Sequence, residues 1–228
     1  MAALVHPEPV TPVRPRRSLQ GCFITVEGGE GAGKSSNLSC IRRLLEAAGK
    51  PLLFTREPGG TPLGEAIREL LLGHRHNGMA DDTELLLMFA ARAEHVQRVI
   101  LPALENGTWV VCDRFTDASY AYQGAGRGIS KQRIAVLEQF VQGGLRPDLT
   151  LLLDLPAEVG LTRAGNRSAP DRFESETGAF FQKVRQGYLQ IAEAEPARVK
   201  VIDASKALGQ VQKQIEDVMT NFLEMHDG

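Results

Sequence analysis

The sequence is short of anything that would staple, anchor or polarise it. Its 228 residues hold three cysteines, Cys22, Cys40 and Cys112, at no paired spacing, which excludes a disulfide framework. Cys22 and Cys112 lie in apolar runs, so they read as small buried hydrophobes of a reduced, cytoplasmic chain. No apolar run approaches the roughly 20 residues of a membrane-spanning helix. Charge of one sign is lacking too. With 26 basic and 28 acidic side chains the net charge is −2, so neither nucleic acid nor a membrane surface is expected as a partner. There is no internal repeat and no second composition regime, which excludes a solenoid and leaves one layered domain as the economical reading.

What is present begins at residue 21. The first twenty residues, "MAALVHPEPVTPVRPRRSLQ", contain four prolines and no continuous apolar stretch, and read as a disordered N-terminal extension. From Gly21 to Gly228 apolar β-rich runs alternate with helical patterns, the arrangement of an α/β fold with a parallel sheet covered by helices. The expected strands are "CFITV", "PLLFT", "TWVVC", "LTLLLDL" and "VKVID". Expected helices run from Lys34 to Ala48 with Gly49 as the stop, and from Thr61–Pro62 to Gly73. A long helix should run from Asp81 and Asp82 toward Asn106, and another should start at Ser130. Further helices should span Ala157 to Ala164, Glu174 to Glu193 and Leu208 to Leu223.

The stretch "GGEGAGKSS", comprising Gly28, Gly29, Glu30, Gly31, Ala32, Gly33, Lys34, Ser35 and Ser36, contains a complete phosphate-binding loop pattern between an apolar run and a helical one. Glycines let successive amides point inward at phosphate oxygens, and the following helix adds the positive end of its dipole. Lys34 would reach the β- and γ-phosphates of a nucleotide, and Ser35 would ligate Mg²⁺. A phosphate cradle alone does not reveal what becomes of the phosphate. Arg56 and Glu57 stand at the C-terminal end of the next strand, with Arg68 on the helix after it, where ligands of open parallel sheets bind. These charges suit a second anion. The strand "TWVVC" ends in Asp113, a candidate for the Mg²⁺ shell, and in Arg114, whose fork could grip an acceptor phosphate.

In order along the chain, "EGGEGAGKSS", "REPGGTPLGEAIR", "FAARAEHV", "DRFTDASYAYQGAGRGI" and "DRFE" resemble the motifs of thymidylate kinases, from Gly21 to the C-terminal helix. The resemblance implies a P-loop NTPase-type fold with a five-stranded parallel sheet, transfer of the γ-phosphoryl of ATP to dTMP, and a homodimer. It implies that Phe89 stacks on thymine, that Arg92 donates to a thymine carbonyl, and that Ser119 and Gln123 read the base edge. Tyr122 resembles the tyrosine beneath the sugar that leaves no room for a 2′-hydroxyl. Arg56, Arg68 and Arg114 resemble the acceptor-phosphate clamp, Glu30 an acid near the 3′-hydroxyl, and Glu57 a carboxylate that meets the metal through water. One class of the family carries an arginine in the phosphate loop, and the other carries basic residues in a lid. Here Gly31 follows Glu30, so the basic lid, about 161–173, should supply the charge through Arg163, Arg167 and Arg172. A kinase for another pyrimidine nucleotide is the nearest alternative. A nucleotide-dependent switch lacks its "NKxD" and "DxxG" sequences here.

Overall fold

The fold grows from five short strands whose side chains alternate between two apolar layers. In a computed structural model that describes residues 19–73, 78–165 and 172–226, β1 (Phe23–Glu27), β2 (Leu52–Arg56), β3 (Trp109–Asp113), β4 (Leu149–Asp154) and β5 (Val199–Asp203) pair in parallel in the order β2-β3-β1-β4-β5. Ile24 and Val26 of β1 enter one layer with Ile41 and Leu45 of α1 (Lys34–Ala47) and with Val211, Ile215, Met219 and Phe222 of α9 (Leu208–His226). Phe23 points the other way, into a layer with Val96, Ile100 and Leu104. Both faces are thus covered, which is why the strands read as continuous apolar runs rather than as alternating ones. All three cysteines are buried.

Most punctuation acts as the sequence indicates. Gly49, at φ 68°, ends α1. Thr61 caps α2 (Pro62–Leu72), its hydroxyl accepting from the Gly64 amide at 2.9 Å. The long helix from Asp81 is α3 (Asp81–His95), which passes through a π-helical turn at Val96–Ile100 into α4 (Leu101–Glu105). Ser130 precedes α6 (Lys131–Gln142), and α7 (Ala157–Gly165) follows β4. The next helix, α8 (Gly178–Ala194), starts four residues later than expected because Thr177 caps it through the Phe180 amide. One helical segment was not expected: α5 (Thr116–Ser119) runs into a second π-helical turn, Tyr120–Gly126. Its glycines suit a loop on propensity, yet Ala125 and Ala121 pack so closely on Gly187 of α8 that a Cβ there would lie 2.8 Å from the Ala125 Cβ.

The register places the site. Asp113 lies beside Val26 on one side and Arg56 on the other, so β1, β2 and β3 end level. Glu27, the glycine loop, Glu57 and Arg114 therefore converge on one edge of the sheet. The sheet order makes that edge the point where the crossovers change direction, the usual ligand crevice of such folds. Arg167 and the rest of 166–171, like the first eighteen residues, lie outside the described residues.

Candidate nucleotide site

Backbone conformation builds the phosphate end. Gly28, Gly31 and Gly33 have φ of 139°, 66° and 84°, values that disfavour any side chain. Lys34 curls back so that its ammonium donates to the carbonyls of Gly28 and Gly29, each at 3.2 Å. Burial, followed by the neighbouring Arg114, pulls the Lys34 ammonium below its ordinary range, against Glu30, Asp113 and Glu27. Ser35 and Ser36 are exposed in the first turn of α1. Among the described residues Asp113 Oδ1 is buried with no hydrogen-bond partner. An orphaned carboxylate oxygen within electrostatic reach of Lys34, and the Ser35 hydroxyl in the loop, fit a hydrated divalent cation.

Beside the loop opens a pocket of about 650 Å³ whose lining includes Glu30, Arg68, Arg92, Arg114, Ser119, Tyr122 and Gln123. Glu30 joins the two regions. Its Oε1 accepts from Arg114 at 2.7 Å and from the Tyr122 hydroxyl at 2.8 Å. Burial alone would raise the Glu30 carboxyl, but Arg114, Lys34, Tyr122 and Arg68 together hold it below its usual value. Arg114 itself sits at φ 69°, which turns its guanidinium back to the Gly28 carbonyl at 3.0 Å and the Tyr188 hydroxyl at 3.2 Å. Behind it lies Glu27, which accepts from the Phe115 amide and the Tyr188 hydroxyl. Burial and then the nearby Asp117 push the Glu27 carboxyl up to about 8.

At the far end of the pocket α3 supplies Arg92. Its guanidinium donates to Glu57 Oε2 at 2.7 Å, to the Ser119 hydroxyl at 3.1 Å and to the Phe115 carbonyl at 3.2 Å. Gln123 comes from the π-helical turn, a conformation that recurs at functional sites. The amide nitrogen of Gln123 donates to Glu84 at 2.8 Å.

Several expected roles change. Phe89 is not on the pocket wall: it packs with Leu85, Ile129 and Ile134, the Arg92 guanidinium standing 4.6 Å from its ring centre. Met88 lines the pocket instead, with Phe115 and Phe173, because Met88 and Arg92, four apart, share a helix face. Both oxygens of Glu57 are engaged, one by Arg92 and the other by His95 at 3.0 Å, so Glu57 helps to fix the Arg92 guanidinium. Arg56 is exposed and paired with Glu65 at 2.7 Å, outside the pocket that Arg68 and Arg114 line. Arg163 donates to the Ala204 carbonyl at 2.9 Å, tied to the loop after β5. Arg172 is buried away from the phosphate loop, its Nε on the Leu71 carbonyl and its Nη2 2.7 Å from Glu84. Gly31 cannot carry a side chain, since a Cβ would come 2.0 Å from the Gly160 carbonyl oxygen.

Comparisons with known proteins point to one family. A family model described as thymidylate kinase matches residues 26–215. The chain belongs to the thymidylate kinase family. It is 58% identical over 210 residues to a thymidylate kinase of Pseudomonas savastanoi pv. phaseolicola, covering 92% of this chain and all of that one. To a thymidylate kinase of Pseudomonas putida it is 59% identical over 206 residues, 90% of this chain and 98% of the relative. The crystal structure of thymidylate kinase from Ehrlichia chaffeensis superposes with a TM-score of 0.71 at 33% identity, covering 88% of this chain and 98% of that one. The contact of Gly31 with Gly160 gives a steric reason for the bare phosphate loop.

Proposed function

We propose that the chain transfers the γ-phosphoryl of ATP to dTMP, giving dTDP and ADP for dTTP synthesis. The observation that carries the reading is Glu30, a phosphate-loop residue bonded directly to Arg114 and Tyr122 of the neighbouring pocket. A donor cradle and an acceptor pocket thereby share one wall. In-line transfer needs no covalent enzyme intermediate and no strong general base, because the acceptor phosphate oxygen is already anionic. The protein must instead hold two anionic groups together. Lys34 faces the donor, Arg68 and Arg114 face the acceptor phosphate, and their fixed charges stabilise what develops between them. Mg²⁺, held by Ser35 and Asp113, would supply further charge neutralisation at the donor phosphates. Arg167 of the lid is the remaining candidate for a contact to the transferring group.

Arg92 and Ser119 offer donors at the base end and Gln123 an amide, a set that suits a thymine or uracil edge. Tyr122, fixed by Glu30 at 2.8 Å, would lie against the sugar and favour a 2′-deoxy substrate by shape. The homodimer belongs to the same proposal. The packed helices α2 and α3 carry the exposed side chains Leu63, Leu70 and Leu86, which a second copy would cover. A reduced, cytoplasmic setting is supported by three buried cysteines at no paired spacing. Initial rates of ADP formation from MgATP with dTMP, dUMP, dCMP, dGMP or no acceptor test the activity. Marked preference for dTMP is expected. Preference for another nucleotide would replace the substrate and keep the chemistry, whereas a rate indifferent to acceptor would overturn the kinase reading.

A further inference from the structure

Glu84 lies in the first turn of α3, and unlike its acidic neighbours Asp81 and Asp82 it is buried, 1% exposed. Three side chains far along the chain converge on it. Gln123 Nε2 donates to Oε1 at 2.8 Å, Arg127 donates to both oxygens at 3.3 and 3.1 Å, and Arg172 Nη2 lies 2.7 Å from Oε2. Arg127 is held in turn by Glu176 at 2.6 Å and stands 4.7 Å from the Phe180 ring centre. Two guanidiniums suffice to compensate one buried carboxylate. The bond to Gln123 is therefore surplus to charge balance, and its effect is geometric.

A carboxylate only accepts, whereas an amide has a donor end and an acceptor end. Beside Glu84 the Gln123 amide must present its nitrogen, which turns its carbonyl oxygen to the opposite side. Gln123 and Arg92 line the same pocket, and Glu84, Met88 and Arg92 follow one another at four-residue intervals along α3, so one helix face carries both the lock and the pocket wall. The two pyrimidine edges differ in what they offer. Thymine and uracil present a ring N–H next to a carbonyl, and cytosine presents a ring lone pair next to an amino group.

We propose that Glu84 sets which pyrimidine edge the pocket accepts, by locking the Gln123 amide with its carbonyl toward the base, so that a ring N–H is taken and the lone pair of cytosine is refused. Glu84 acts through Gln123 and is a positioning residue. The inference rests on the dTMP kinase reading and on Gln123 meeting the base. Wrongly paired polar groups in a buried site discriminate far more strongly than shape alone.

The test compares kcat/KM for dTMP, dUMP and dCMP in the wild type, Glu84→Gln and Glu84→Asp. In Glu84→Gln the new amide can donate or accept, so Gln123 can settle either way round. The dTMP-to-dCMP ratio should then fall by at least about tenfold, chiefly through KM. The dTMP-to-dUMP ratio should stay as in the wild type, since both bases share the edge, and Glu84→Asp should keep discrimination against dCMP. An unchanged dTMP-to-dCMP ratio in folded Glu84→Gln would overturn the proposal, as would an equal fall in both ratios, which is the mark of a merely structural role. If Glu84→Gln does not fold, the wild-type side-chain amide decides. Slow hydrogen exchange at Gln123 Nε2 supports the lock, and an amide exchanging at solvent rates overturns it. Failure of the underlying reading is separable, because it shows in the wild type as no preference for dTMP over dCMP.

Discussion

Lys34 is where one side chain bears most of the account. Its ammonium rests on two loop carbonyls, at 3.2 Å each, positions it must leave to meet phosphate oxygens. Lys34→Ala should lower kcat by a factor on the order of 10² to 10³ with unchanged circular dichroism; retention of full turnover would contradict the site. Glu27 yields a prediction of another kind. Its folded pKa, about 8, lies above the ordinary carboxyl value, so the folded state holds a proton that the unfolded chain releases. That contribution is complete below the unfolded value and is lost as pH rises toward about 8. Glu27→Gln should flatten the fall in stability across this window, by a few kcal/mol at most in order of magnitude. Melting temperatures near the two ends measure it, and parallel pH curves for the two proteins would refute it. At this scale the phosphate loop was legible because glycine spacing is itself the mechanism. Arg92, Ser119, Tyr122 and Gln123 were placed by resemblance, and the pocket brings them together. Phe89 packs in a neighbouring cluster while Met88 lines the pocket, because aromatic character is visible in a sequence and the facing direction is not. Glu84 gave no signal of its own, since its partners Gln123 and Arg127 are 39 and 43 positions away.

Between elements, the contact of the phosphate loop with α7 is decisive. Gly31 and Gly160 meet backbone to backbone, and a Cβ on Gly160 would stand 2.3 Å from the Glu30 carbonyl oxygen. Because α7 leads into the lid, this close approach sets the lid's root against the loop. Gly160→Ala should push the two apart, lowering kcat/KM for ATP about tenfold and stability by about 1–3 kcal/mol. Gly209→Ala, in open space on α9, is the control: it should leave activity unchanged and stabilise the protein by up to about 1 kcal/mol. Strands and most helices were legible because a two-faced parallel sheet demands apolar runs and the helix caps carry their own chemistry. The segment Thr116–Gly126 was not, since its helical form depends on small residues fitting against Gly187 of α8, a fact of packing and not of propensity.

For the molecule as a whole, a near-neutral chain with no described helix long and apolar enough to cross a membrane has one concentrated feature, the edge where β1, β2 and β3 end level. Everything assigned to chemistry among the described residues gathers there. If the exposed leucines of α2 and α3 form the dimer face, Leu86→Glu should halve the mass seen by sedimentation equilibrium, and an unchanged mass would relocate the interface. Phosphorus NMR of the enzyme with MgATP and dTMP follows the fate of the phosphoryl group itself. dTDP should appear in step with ADP, with neither formed by Lys34→Ala; ADP and inorganic phosphate without dTDP would overturn phosphoryl transfer to dTMP.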